Sequence, residues 1–176
     1  SIYTGDDYTW AGYPLWSPVN NNIILFSALH EHTTSMRIIT LDDKVEHVLS
    51  SEHELASSPI WHPDGDAFYY LLNKGETSNL MKVEINPDTG KLLKGPIVLL
   101  TGIPKTVKAT PNSQFSMSNN GELLFVKQAS SISTVFAYNT KPDSLYLSEP
   151  KQIIKGTHLI QDFAISPSGN EIAYSM

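Results

Sequence analysis

Short apolar runs recur along the chain. Residues 23–26 (Ile-Ile-Leu-Phe), 68–72 (Phe-Tyr-Tyr-Leu-Leu) and 123–126 (Leu-Leu-Phe-Val) are hydrophobic at every position, without the alternation of a half-buried strand. Runs this short, next to turn residues, predict strands covered on both faces. Other segments alternate. Residues 79–85 put Met81, Val83 and Ile85 on one face and Lys82 and Glu84 on the other, which predicts a third strand. Residues 36–40 are its counterpart nearer the start. Residues 45–49 read two ways: Leu41, Val45, Val48, Leu49 and Leu55 approach helical spacing, with Asp42 as a cap, but the repeat frame demands an outer strand, and a strand is predicted.

Each fully apolar run follows the same punctuation. Trp16-Ser17-Pro18-Val19-Asn20 precedes the first and Trp61-His62-Pro63-Asp64-Gly65 the second. Ser118-Asn119-Asn120-Gly121 precedes the third, and Ile165-Ser166-Pro167-Ser168-Gly169 precedes Ile172-Ala173-Tyr174. Proline presets φ and glycine accepts φ > 0, so these are tight turns between two strands, with Asn20 read in the place of glycine. The turn residues Asn20, Gly65, Gly121 and Gly169 lie 45, 56 and 48 positions apart. A period of roughly 40–50 residues with four short strands per unit marks a propeller blade. The expectation is an all-β chain: a single, partial β-propeller domain of four-stranded antiparallel blades, with repeats at about 13–49, 56–100, 110–154 and 162–176. Ser1-Ile2-Tyr3 reads as the tail of a preceding blade, and Tyr174-Ser175-Met176 stops in the second strand of the fourth repeat. The reading is therefore a piece of a larger ring, of six or more blades. A small ring, or two chains completing each other, is the rival.

The Trp-Ser-Pro, Trp-His-Pro-Asp-Gly and Ile-Ser-Pro-Ser-Gly segments resemble the W-S-P-D-G signature of TolB-type β-propeller repeats. That group includes TolB, the propellers of prolyl oligopeptidase-like enzymes, and sensor domains of bacterial kinases and transcription regulators. The third copy departs from the pattern, without Pro or Asp, and the first lacks Gly. The resemblance implies a fold rather than an activity, since the signature is a structural turn. Three functional readings follow. The first is a non-catalytic domain binding a protein or small ligand: a periplasmic or otherwise extracytoplasmic sensor or scaffold of a larger bacterial protein, such as a membrane-anchored regulator. The second is the propeller of a prolyl oligopeptidase-like hydrolase whose catalytic domain lies outside this chain. The third is a metal-dependent propeller lyase.

Composition narrows this. A net charge of −6 and a pI near 5.4 argue against nucleic acid or an anionic membrane surface as partner. There is no cysteine, which fits the cytosol and a bacterial exterior alike. No apolar run approaches the ~18 residues of a membrane helix, so no direct membrane insertion is expected. Nor is there a Gly-x-Ser-x-Gly elbow or a Gly-rich phosphate loop, and no catalytic residue or cofactor is assigned.

Loops on a rigid scaffold hold sites. In propellers of this kind, the loops leading into the first strands (4–12, 50–58, 101–113, 155–161) share a face with those between second and third strands (28–34, 73–78, 128–133). That face collects the candidate ligand-binding residues Asp7, Trp10, His30, His32, His53, Glu54 and His158. His30, His32 and His53, with Glu54, would suit zinc or manganese, though His-x-His with no third ligand at a known spacing is a weak signal. Exposed polar loop residues are the plainer reading. Tyr8, Trp10 and Tyr13 could stack on a sugar or peptide; the plainer reading is that Tyr13, and with it Trp10, packs the blade interface. Self-association through open blade edges is a further expectation.

Overall fold

The computed structural model describes residues 8–50, 55–104, 115–129, 132–140, 147–155, 160 and 162–175. They hold fourteen strands and no helix. The first sheet runs β1 (Trp10–Trp16), β2 (Ile23–His30), β3 (Thr33–Thr40), β4 (Glu46–Val48). The second runs β5 (Ala56–Trp61), β6 (Ala67–Lys74), β7 (Thr77–Ile85), β8 (Leu92–Pro104). The third runs β9 (Phe115–Met117), β10 (Glu122–Ala129), β11 (Ile132–Asn139), β12 (Lys151–Lys155), and β13 (Asp162–Ile165) pairs with β14 (Ile172–Ser175). Every strand pairs antiparallel with its sequence neighbour. These are the blades of a β-propeller. The ambiguous segment at 45–49 is strand, β4, whose backbone pairs with Arg37, Ile38 and Ile39.

The turns form as their chemistry requires. The Gly65, Gly121 and Gly169 amides close back onto the carbonyls of His62, Ser118 and Ser166 at 3.0, 3.1 and 2.9 Å. All three glycines sit at φ between 69° and 78°, where a Cβ would crowd the backbone. The third turn therefore closes without Pro or Asp. The first turn differs from expectation. Asn20 is not at positive φ and does not replace glycine. One extra residue relaxes the loop: Ser17 N–H reaches Ile23 O, whereas His62 N–H reaches Ala67 O. The tight closure moves to Ile23 N–H on Asn20 O, 3.1 Å.

Strand periodicity places the core between the sheets. Ile23 and Leu25 of β2 and Met36 and Ile38 of β3 face Phe68, Tyr70, Leu72, Met81, Val83 and Ile85 of the second blade. The alternate residues Tyr69, Leu71 and Leu80 face Leu123, Phe125 and Tyr138 of the third. Leu124, Val135 and Ala137 then meet Phe163 and Ile165 of the fourth. This is why the central strands are apolar at every position. The polar face of β7 is only partly solvated: Lys82 is buried and ion-paired at 2.9 Å with Glu84, which is half-buried.

Equivalent positions also stitch consecutive blades. Trp61 Nε1–H donates to Leu15 O of the first blade at 3.1 Å, and Ile165 N–H donates to Ser116 Oγ at 3.3 Å. The turns pack on one another as well. The Asn20 amide donates to the carbonyls of Pro87 and Asp88, and Asn120 donates to Ser168 O. A Cβ on Gly65 would lie 2.3 Å from Val19 Cγ2, so this glycine serves a close approach as well as a turn.

Candidate functional site

The loop end is more tightly built than expected. The segments 28–34 and 73–78 are hairpins whose ladders run to His30↔Thr33 and Lys74↔Thr77. Only Glu31-His32 and Gly75-Glu76 remain as connections. Glu31 and Gly75 take positive φ, 46° and 59°, as two-residue hairpins demand. Polar side chains imitate a loop in the sequence, but they do not stop a backbone ladder from continuing. The loop at 4–12 is likewise shorter, because β1 begins at Trp10.

β1 and β5 break register at the same place, between Gly12 and Leu15 and between Ser57 and Ile60. Tyr13 and Ser58, each preceding a proline, sit there at φ 54°. A repeated bulge at the loop end of the innermost strand re-aims side chains. In the first blade it brings Tyr13 edge-on to Trp10, centroids 5.7 Å apart. The Trp10 indole lies over Gly12, where a Cβ would come within 1.9 Å of the ring. Even so packed, Trp10 is 46% exposed. Tyr13 thus packs on Trp10, within its own blade.

His30 and His32 part company. His30 ends β2 and points its Nε2 at Arg37 Nη2, 2.6 Å away. Arginine only donates, so this nitrogen accepts and the ring proton sits on Nδ1. Arg37 is 2% exposed. It donates to Glu46 Oε1 at 2.5 Å and to Ser35 Oγ at 3.1 Å. Its guanidinium also lies over the Tyr8 ring, 5.1 Å from the centroid, and Tyr8 meets His30 edge-on at 6.1 Å. His32 sits exposed on the turn. A guanidinium therefore fills the direction in which His30 Nε2 would hold a cation. Among the described residues, no three His, Asp or Glu side chains gather as a metal site. Asp7, His53, Glu54 and His158 lie outside the described residues, so the full candidate set is not seen together.

Arg37 and Glu46 were missed by sequence reasoning. The available signal was a lone arginine inside the apolar stretch 36–39. Beside this network, the face of the first blade away from the second holds an apolar groove of about 290 Å³ between Pro14, Ile24, Phe26, Ile39 and Leu41. The arrangement can recognise a ligand by stacking and by apolar contact.

No protein-family model and no curated protein matches the sequence. Solved structures do match in shape. TolB from Acinetobacter baumannii superposes with a TM-score of 0.62 at 13% identity, over 98% of this chain and 39% of that one. A protein described as a dipeptidyl aminopeptidase IV, from Bacteroides ovatus, gives 0.55 at 13% identity, over 86% of this chain and 27% of that one. A prolyl endopeptidase gives 0.54 at 13% identity, over 92% and 25%. The chain thus has the fold of β-propellers of the TolB and prolyl-oligopeptidase kind, and it spans well under half the length of each. Among the described residues, no helix is long and apolar enough to cross a membrane.

Proposed function

We propose that the chain is a non-catalytic propeller domain that binds a protein or small ligand at its loop end, as an extracytoplasmic sensor or scaffold of a larger bacterial protein. The observation that carries this is the Trp10–Tyr13 pair: a large aromatic surface, held by a bulge and a glycine, and half open to solvent. Rigid amphipathic rings give contact area at little entropic cost. The acidic net charge disfavours nucleic acid, and the face suits a peptide or sugar. Titration of the chain with oligopeptide and oligosaccharide panels, read by tryptophan fluorescence, tests it. A ligand whose affinity falls at least tenfold in Trp10→Ala is expected. Binding unchanged in Trp10→Ala, or no binding across both panels, would refute the assignment.

A second reading, the propeller of a prolyl oligopeptidase-like hydrolase, draws on the shape shared with the two peptidase structures. A Gly-x-Ser-x-Gly segment beyond this chain in the parent gene would establish it. The lyase reading needs stoichiometric zinc or manganese in the purified protein, and Arg37 beside His30 weighs against it. Self-association through open blade edges is read from the solution mass.

A further inference from the structure

Three of the four repeat turns carry serine after the strand: Ser17, Ser118 and Ser166. Each hydroxyl accepts a backbone N–H of its own turn, from Asn20, Glu122 and Glu171 at 3.2, 3.1 and 3.1 Å. The second turn carries His62 instead, and Nδ1 takes over the task by accepting the Asp64 N–H at 3.3 Å. An accepting Nδ1 carries a lone pair, so the neutral ring keeps its proton on Nε2. The ring is 4% exposed and wedged between the second and third blades. Its Nε2 lies beside Gly121, where a Cβ would come within 3.3 Å, and is buried with no hydrogen-bond partner. A second buried atom is also without a hydrogen bond: Asp66 Oδ1, 3.4 Å from the same Nδ1. Asp64 Oδ2 stands at 3.7 Å.

We propose that His62 is a proton-operated joint between the second and third blades. When the ring takes a solvent proton on Nδ1, it releases the Asp64 amide and donates to Asp66 Oδ1. A positive charge then stands in the seam. Around it are Asp64 and Asp66 on its own turn, Tyr69 on β6, and the Lys82–Glu84 pair on β7. From the third blade, Gly121 approaches it. Thr140, which bonds Gly121 O, and the Tyr69 hydroxyl, pushed up to about 12 by burial, add no compensating charge there. Burial lowers the His62 pKa below its ordinary 6.5, and Lys82 works the same way, while the two aspartates oppose it. The unfolded chain binds this proton more readily. Stability is therefore full above the ordinary value and falls as the pH drops from there through the folded-state pKa.

The test follows the His62 imidazole by NMR in the whole chain, with melting curves from pH 7.5 to 5. The expected result is a ring carrying its proton on Nε2 at pH 7.5, titrating below 6.5. Asp66→Asn should lower that midpoint further. His62→Ser, which restores the residue of the other turns, should flatten the fall in Tm with acid. A midpoint at or above 6.5, or an unchanged acid slope in His62→Ser, overturns the proposal. An unmoved midpoint in Asp66→Asn overturns the Asp66 arm. Should His62→Ser not fold, the ring's own titration in the unaltered chain decides.

Discussion

Trp16 and Trp61 hold the same position in successive repeats, and their fates differ. Trp61 is 8% exposed, with its indole N–H on Leu15 O and its ring edge-on to Phe68. Trp16 is 53% exposed. The first blade covers Trp61, and no described residue covers Trp16 to that extent. Burial here is thus a property of the neighbour, not of the residue or its own sheet. The same contrast separates the two faces of the first blade. One packs a continuous apolar core against the second blade, crossed by the Trp61 N–H bond to Leu15 O. The other mixes Phe26, Ala28 and Ile39 with the Arg37–Glu46 ion pair, which closes within the blade.

The largest effect should come from that pair of tryptophans. Trp61→Ala should cost about 3–5 kcal/mol by urea unfolding, the range of large core truncations. Trp16→Ala should stay within about 0.5 kcal/mol, as surface changes do. Equal costs would mean that something, a second copy for instance, covers Trp16 in solution. Acrylamide quenching sharpens the point: Trp16 fluorescence should be accessible and Trp61 protected.

On the open face, Arg37→Met should cost about 3 kcal/mol by leaving Glu46 buried without its partner. The double variant Arg37→Met/Glu46→Leu should recover most of that loss, because both charges go together. Full additivity of the two changes would break the claim that these two charges are coupled.

The turns give smaller effects. Gly65→Ala should cost about 1–2 kcal/mol for the left-handed backbone alone, with the Val19 contact adding to it. Asn20→Gly should be milder, since Asn20 needs no positive φ and gives up its side-chain bonds to Pro87 O, Asp88 O and the Asn22 N–H. The smallest effect has the opposite sign. Ser58→Gly should stabilise by up to about 1 kcal/mol, since Ser58 occupies positive φ without glycine's freedom.

The fold was legible because its signals are local. Proline, glycine and serine announce the turns within five residues, and uninterrupted apolar runs announce central strands. β4 could be read only from the repeat frame, since its own residues admit a helix. The displaced turn at Asn20 was illegible, because one inserted residue moves the closure without changing the composition. The site was harder still. Arg37 pairs in backbone register with Val48 but reaches Glu46 beside it, and that diagonal appears only once β3 and β4 are aligned. His30 and His32 look alike in sequence. Strand and turn geometry make one an acceptor for arginine and leave the other on the surface.

Each sheet packs on its sequence neighbours, and the stitching bonds join consecutive blades. Such a chain has nearest-neighbour mechanics. Pulled by its ends, it should yield in discrete steps, one sheet peeling from the next. The seam held by Trp61 and its apolar core should resist longest, and the two-stranded β13–β14 hairpin should leave first.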